Sequence, residues 1–215
     1  MPGFYSEIEL KTDRAVHAIG NLAAPIAVAV LLSIAIDRSG AAMLPTMLVY
    51  SAGLLAMLGF SAAYNLARHP GRRALLRRFD HAAIYLMIAG TYTPFIANVV
   101  DPAWRLGLMA AVWLIASAGI AIELALPRRL DGFAVVVYLG LGWIAVAAPG
   151  PLLGDLATPV IALLAVGGAL YTLGVAFHLW HSLSFHNTIW HAAVVVAAGL
   201  HYSAILLGVV LVPIG

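Results

Sequence analysis

The residues best suited to chemistry in this chain are polar groups that border long apolar stretches or lie inside them. Asn187 and His191 are four residues apart, so they share one face of a helix. Ser61 and Asn65 have the same spacing, and Asp80 follows a short basic segment. Imidazole, carboxylate and hydroxyl groups bind metal ions, transfer protons or form buried hydrogen-bond networks. Because ionisable groups inside a membrane are costly unless they are paired or solvated, these residues mark a candidate functional site.

The composition of the chain predicts that it is an integral membrane protein. Hydrophobic residues make up 63% of the 215 residues, charged residues make up 9%, and the mean hydropathy is +1.00. Soluble domains carry roughly 25% charged residues. The absence of cysteine excludes disulfides, thiolate metal ligands and thiol nucleophiles. The sequence also contains no nucleotide-binding loop, serine-nucleophile elbow or nucleic-acid-binding pattern, so we expect no nucleic-acid partner.

The apolar runs and the breaks between them predict an all-α bundle of seven transmembrane helices. The predicted spans are residues 15–36, 42–66, 80–100, 103–126, 132–149, 156–180 and 187–212. Every connection is short, so neighbouring helices are expected to run antiparallel. The sequence shows no internal repeat, linker or soluble domain. We therefore expect residues 1–215 to form one seven-helix transmembrane domain.

The positions of lysine and arginine predict that the N-terminus faces the cytoplasm and the C-terminus the outside. Nine basic residues fall on one side of the predicted bundle: Lys11, Arg14, Arg68, Arg72, Arg73, Arg77, Arg78, Arg128 and Arg129. Only Arg38 and Arg105 fall on the other side. The segment from Arg68 to Arg78 is also expected to attract anionic lipid headgroups, unless it serves only as a topology signal.

This orientation places polar groups from four helices at one level beneath the inner headgroups. The residues are His17, Asn65, Asp80, His81, Asn187 and His191. Asp80 alone has a simpler interpretation, in which its carboxylate caps the third span by accepting hydrogen bonds from the first helical N–H groups. Independent caps need not fall at the same depth, however. The shared depth therefore predicts a common polar pocket.

Several segments resemble the haemolysin III family, the bacterial branch of the superfamily that includes the progestin and adiponectin receptors. They are SAAYNLARHPGRRALLRRFDHAAIYLMIAGTYTPF, in which DHAAIYLMIAGTYTPF is the most specific part, and NTIWHAAVVVAAGLHYSAIL. The HAIG motif that begins at His17 resembles the N-terminal motif of the family. The likeness covers nearly the whole chain. It implies seven spans, a cytoplasmic N-terminus and a location in the bacterial inner membrane.

The resemblance also implies a zinc site near the cytoplasmic face. The family pattern has Ser-x-x-x-His on the second span, an aspartate at the start of the third and His-x-x-x-His on the seventh. In the family the three histidines bind zinc and the aspartate holds a zinc-bound water, which suggests hydrolysis of lipid amides. Ser61, Asp80 and His191 match this pattern, so Asp80 and Ser61 are the candidate catalytic residues. Asn65 and Asn187, however, stand where the family has histidine.

The two asparagines leave two interpretations of the pocket open. Zinc prefers imidazole, thiolate or carboxylate ligands, so a zinc site would need His191 together with substitutes for the missing imidazoles. Candidate substitutes are His186, His181 and His17, and His186 could reach the site only if the seventh span begins after it. Alternatively, Asp80, His191 and the two asparagines satisfy each other in a metal-free hydrogen-bond network.

Three functions follow from these interpretations. The first is a membrane protein that senses or maintains the lipid state of the membrane without catalysis. The alternative is a zinc-dependent intramembrane hydrolase of lipid amides, in which Asp80 assists as base. The third, suggested by the family name, is a pore-forming haemolysin or transporter, which would require a polar path across the bilayer. The loss of two histidine ligands favours the first function.

Overall fold

The computed structural model describes residues 5–126 and 131–212, and it is all-α. The helices are α1 (Glu7–Ser39), α2 (Leu44–Leu66), α3 (Pro70–Ala97), α4 (Pro102–Ala125), α5 (Asp131–Gly142), α6 (Ile144–Ala147), α7 (Pro149–Leu153), α8 (Thr158–Leu179) and α9 (His186–Ile205), and a π-helical turn (Leu206–Val210) continues α9. In this described part, α1, α2, α4, α8 and the extended α9 are long and apolar enough to cross a membrane. The all-α, multi-pass architecture is therefore confirmed, whereas the count of seven spans stays a prediction.

Helix α1 begins well before the predicted first span of residues 15–36. Its start is set by a capping box, in which the Ser6 hydroxyl accepts from the Glu9 N–H at 3.2 Å and the Glu9 carboxylate accepts from the Ser6 N–H at 2.7 Å. Two polar helical turns therefore precede the apolar run. They place Asp13 and His17 on one helix, four residues apart and both buried.

Helix α3 begins at Pro70 rather than at the predicted residue 80. Proline suits the first helical position because the N–H that it lacks would have no intrahelical partner there. The basic segment after Pro70 is consequently helical. Asp80 lies well inside α3 and not at its start, so the interpretation of Asp80 as an N-terminal cap is wrong.

The predicted fifth span, residues 132–149, is broken into α5, α6 and α7. The helix is interrupted at Trp143, where the Tyr92 hydroxyl donates to the Gly142 carbonyl at 2.7 Å and accepts from the Ala145 N–H at 3.2 Å. These bonds replace part of the helical ladder that the break removes. Pro149 has no N–H to donate to the preceding helix, which favours a second interruption before α7. The break is stabilised by contacts with α3.

Helices α2 and α3 pack closely because glycines face the neighbouring backbone. A Cβ atom at Gly53 would lie 3.0 Å from the Met87 Cα atom, and one at Gly90 would lie 3.1 Å from the Val49 carbonyl oxygen. Small residues allow this close approach of membrane helices. The contact fixes α2 relative to α3, and with it the polar residues at the end of α2.

The beginnings of α1, α3 and α9 meet at one end of the bundle. The Glu9 carboxylate accepts a hydrogen bond from the Phe185 N–H at 2.7 Å, which joins α1 to the residue before α9. At the same end Arg78 of α3 donates to the Leu124 carbonyl of α4 at 3.2 Å. We call this the basic end, because the arginine-rich segment 68–78 lies there. The candidate site is built beneath it.

Candidate functional site

The carboxylate of Asp13 lies between two imidazoles. His191 Nδ1 is 2.6 Å from Asp13 Oδ1, and His17 Nε2 is 3.5 Å from Asp13 Oδ2. The centres of the two imidazole rings are 4.3 Å apart, and all three residues are buried. One ligand atom from each residue lies within 4.8 Å of the others, so the group could hold a metal ion. We refer to these three residues as the Asp13 cluster.

Hydrogen bonding within the Asp13 cluster is incomplete. The contact between Asp13 and His191 is short enough for a charge-assisted hydrogen bond. The distance from His17 Nε2 to the carboxylate is too long for a good hydrogen bond, and this buried nitrogen has no partner among the described residues. A buried polar atom without a partner is costly and calls for an explanation. The cluster thus contains one potential metal-ligating nitrogen that the protein itself does not satisfy.

The α9 start is held in place by residues of the N-terminal segment. Phe185 has a φ angle of 61°, in the left-handed region that non-glycine residues seldom adopt. Its N–H is the group bound by the Glu9 carboxylate, one turn before Asp13 on α1. The Tyr5 hydroxyl lies 3.2 Å from His186 Nε2, and burial raises the pKa of Tyr5. These contacts set the position of His191 relative to Asp13.

A second polar pair, Ser61 and Asp80, lies next to the Asp13 cluster. The Asp80 side chain lies close enough to Ser61, His17 and His191 to interact with each of them. Asp80 is half-buried. The structure therefore brings Ser61 and Asp80 into the same region as His17 and His191, as residues beside the cluster and not as members of it.

The described part of the bundle contains a small cavity beside the Asp13 cluster and a larger one elsewhere. The smaller one measures about 10 Å³, is bordered by His17, Ser61 and His191, and has room for about one water or ion. The larger one measures about 190 Å³, is mostly apolar and is partly open to the surface of the bundle. The two cavities share no lining residue among those that the structure describes.

Helix α3 and the broken segment after α5 form walls of the large cavity. The residues that α3 contributes recur every three or four positions: Ile84, Met87, Ile88, Thr91, Tyr92 and Phe95. Ile84 lies one helical turn after Asp80, so this wall continues towards the polar pair. Trp143 lines the cavity from the break after α5, and its indole N–H donates to Thr172 of α8 at 3.0 Å. This bond links the broken segment to α8.

The chain is similar in sequence to a family of known proteins. A sequence model described as Haemolysin-III related matches residues 13–202. The chain belongs to the haemolysin III family. It is 32% identical over 190 residues to Hemolysin-3 of Bacillus cereus, which covers 88% of this chain and 87% of that protein. The Hemolysin-3 homolog of Bacillus subtilis (strain 168) is 30% identical over 197 residues, 92% of each chain.

The family relationship extends beyond bacteria. The human Monocyte to macrophage differentiation factor is 28% identical over 171 residues, which cover 73% of this chain and 67% of that protein. The resemblance predicted from the sequence motifs is therefore confirmed. This haemolysin III family member is an integral multi-pass membrane protein.

The residues at the family's predicted ligand positions do not fit a zinc site in this haemolysin III protein. The Asn65 side-chain amide donates to the Ser61 carbonyl at 2.9 Å, so it is engaged within its own helix. Asn187 lies in the first turn of α9 and is half-buried. Because zinc prefers imidazole or carboxylate to a neutral amide, only His191 of the family set is a good ligand here.

Of the three predicted substitute histidines, His17 joins His191 and the other two lie elsewhere. His186 begins α9, and its ring lies 5.5 Å from that of His181, which is exposed. Its contact with Tyr5 places it outside the Asp13 cluster.

Asp13 itself was missed by the sequence analysis, which assigned it to a polar segment before the first span. The pattern Ser6-Glu7-Ile8-Glu9 could have revealed it, because a capping box predicts a helix start at residue 7. A helix that begins there places Asp13 and His17 on the same face.

Proposed function

We propose that this haemolysin III protein binds a membrane lipid and takes part in sensing or maintaining the lipid state of the membrane, without catalysis. The observation that supports this function is the large apolar cavity of about 190 Å³. An apolar cavity of roughly 150 Å³ excludes water and takes up benzene. A larger cavity of the same character, surrounded by a bilayer, is suited to a segment of an acyl chain.

The α3 side chains that line the large cavity indicate how a bound lipid would be oriented. An acyl chain lying along Ile84 and Phe95 would have its polar head towards Asp80 and the basic end. Arg68, Arg72 and Arg73 are exposed there, and basic residues near a membrane surface attract anionic headgroups. We therefore propose an anionic or zwitterionic lipid whose head is recognised at the basic end.

The proposed setting is the inner membrane of a bacterium, with seven crossings, a cytoplasmic N-terminus and one domain over residues 1–215. The excess of nine basic residues over two supports this orientation, and the Bacillus relatives support a bacterial membrane. Arg128 and Arg129, which contribute to the count, lie outside the described residues. In this orientation the basic end faces the cytoplasm.

Three features favour binding over hydrolysis or pore formation. The replacement of two family histidines by Asn65 and Asn187 removes ligands on which the family's proposed amide hydrolysis depends. The acyl chain of a lipid in the large cavity would also lie apart from His17 and His191, because the cavities share no described lining residue. A pore would need a polar path, whereas the large cavity is lined mainly by apolar side chains.

A matched pair of glycine substitutions tests the proposal. Gly168 lines the large cavity, and a Cβ atom there would contact the Trp143 side chain and no backbone, so Gly168→Leu is chosen to occupy part of the cavity. Gly107 of α4 is exposed with open space around its Cβ position, which makes Gly107→Leu the control. Native mass spectrometry of protein released from lipid nanodiscs measures the lipid that each variant retains.

We expect one tightly retained lipid in the natural protein and in Gly107→Leu, and a strong loss of that lipid in Gly168→Leu. The proposed function is wrong if the natural protein retains no lipid beyond a shell that exchanges freely. Equal retention by both leucine variants would also overturn the assignment of this cavity.

A further inference from the structure

We propose that this protein binds one Zn²⁺ ion through Asp13, His17 and His191, a ligand set different from the one that its family pattern implies. This site goes beyond the lipid-binding function and does not depend on it. The ion would join the start of α1 to the start of α9.

The donor atoms and their spacing suit zinc. Two imidazole nitrogens and a carboxylate oxygen are ligands of the kind that zinc takes, and hard cations such as Mg²⁺ or Ca²⁺ prefer oxygen alone. Tetrahedral zinc with bonds of about 2.0 to 2.2 Å holds its ligand atoms roughly 3.3 Å apart. His191 Nδ1 and His17 Nε2 lie 2.6 and 3.5 Å from different oxygens of the Asp13 carboxylate, and one ligand atom from each residue lies within 4.8 Å of the others. Small side-chain rotations would accommodate the ion.

Two further observations point to a ligand at this place. His17 is only 6% exposed, and its Nε2 atom is buried without a hydrogen-bond partner among the described residues. The small cavity of about 10 Å³ borders both His17 and His191, so there is space for an ion or a single water beside the imidazoles. A cation bound between the three side chains gives the unpaired nitrogen of His17 a partner.

Contacts within α1 and between α1 and α2 hold Asp13 and His17 in position. Asp13 and His17 are four residues apart on α1, so their side chains leave the helix on the same face. The Asn21 amide donates to the His17 carbonyl at 2.9 Å and to the Leu58 carbonyl of α2 at 3.1 Å. These two bonds join the α1 backbone at His17 to the α2 backbone at Leu58.

Asp80 and Ser61 lie beside the two histidines and outside the proposed ligand set. Asp13 supplies a negatively charged ligand that neither Asn65 nor Asn187 can supply. The proposed ligands thus lie on α1 and α9, whereas the ligand positions of the family pattern lie on α2 and α9.

The expected role of the ion is to stabilise the packing of α1 against α9. The cluster is buried, and the small cavity beside it shares no described lining residue with the large cavity. Metal that binds only the folded state raises its stability in proportion to occupancy. Zinc should therefore raise the unfolding temperature of the apo-protein.

The first test is the metal content and the zinc-dependent unfolding temperature of the full chain in detergent micelles. We expect about one zinc per chain in protein purified without chelators, and a rise in unfolding temperature when zinc is returned after chelation. Asp13→Asn and His17→Gln keep the approximate shape of each side chain and should weaken zinc binding at least about tenfold. Asn187→Gln and His186→Gln are the controls and should retain zinc.

X-ray absorption at the zinc edge of the natural protein reports how many imidazoles bind the ion. It therefore tests the proposal even if a variant fails to fold. The proposed site contains two imidazoles, whereas the family positions of this chain offer only the imidazole of His191. A spectrum with two imidazoles supports the proposal, and a spectrum with one overturns it. Failure of the natural protein to bind zinc on titration would overturn it too, as would loss of zinc in Asn187→Gln equal to that in His17→Gln. None of these results depends on lipid retention.

Discussion

The two cavities of this haemolysin III protein lie against neighbouring faces of α9 and differ in size and lining. Trp190 lines the large apolar cavity, and the next residue, His191, lines the small one beside the Asp13 cluster. Successive residues of a helix point about 100° apart, so one helix can serve both. A single helix thus contributes one side chain to an apolar cavity and the next side chain to a polar cluster. We expect lipid retention and zinc binding to respond to different mutations.

The largest effect is expected from Asp13→Ala, which leaves two buried imidazoles without their shared carboxylate. Removing one partner of a buried charged group costs about 3 to 5 kcal/mol in the free energy of unfolding. Denaturant unfolding in micelles would measure this loss. The control is Asp37→Ala, because Asp37 is exposed on the same helix and its removal should change little. Lipid retention per folded molecule should stay the same in both variants, and a parallel loss of lipid in Asp13→Ala would refute the separation of the two regions.

Gly53→Ala is expected to lower the free energy of unfolding by a smaller amount. It should disturb both cavities, because α2 borders them through Met57 and Leu58. The added methyl group would lie 3.0 Å from the Met87 Cα atom, and overpacking of this kind costs about 1 to 3 kcal/mol. At Gly59 of the same helix the nearest atom is 4.0 Å away, and alanine there should stabilise the helix by about 1 kcal/mol. Opposite signs in the unfolding free energies of the two variants are expected. Equal effects would show that α2 and α3 do not pack as described.

Trp143→Phe should affect only the large cavity. It removes the indole donor to Thr172 while keeping an aromatic ring, and one hydrogen bond contributes about 1 kcal/mol. We expect faster lipid exchange in a fluorescent-lipid release assay and unchanged zinc content. Thr172→Val removes the other partner and should have the same effect. A change in zinc content in either variant would connect the two regions.

The smallest effect is expected from Tyr5→Phe. This change removes the hydroxyl that lies 3.2 Å from His186 Nε2, at a partly exposed site where the cost is about 0.5 kcal/mol. Zinc content and lipid retention should both match those of the natural protein. Loss of zinc in this variant would show that His186 takes part in the metal site.

The sequence predicted the middle of most helices better than their ends. The predicted spans 103–126 and 156–180 agree closely with α4, Pro102–Ala125, and α8, Thr158–Leu179. Hydropathy locates the segment that lies in hydrocarbon, but helices extend beyond it where polar turns are capped, as at Ser6, or begin at a proline, as at Pro70. The break at Trp143 could not be predicted from apolar composition, because a hydroxyl from α3 stabilises it.

The sequence predicted only part of the candidate site, because hydropathy did not show where α1 begins. Spacing on one helix identified Asn187 and His191 as neighbours, and the shared depth suggested His17 and Asp80. Asp13 was omitted because its helix begins earlier than the apolar run, although its spacing from His17 is visible in the sequence. Which histidine meets His191 is decided by the packing of α1 against α9, and no local pattern encodes that contact.

The most direct test of this account is an anomalous difference map recorded at the zinc absorption edge from crystals of the natural protein. We predict one peak bounded by Asp13, His17 and His191, with lipid density confined to the large cavity beyond Trp190. A peak beside Asn65 and Asn187, or no peak in crystals grown with zinc, would contradict the account.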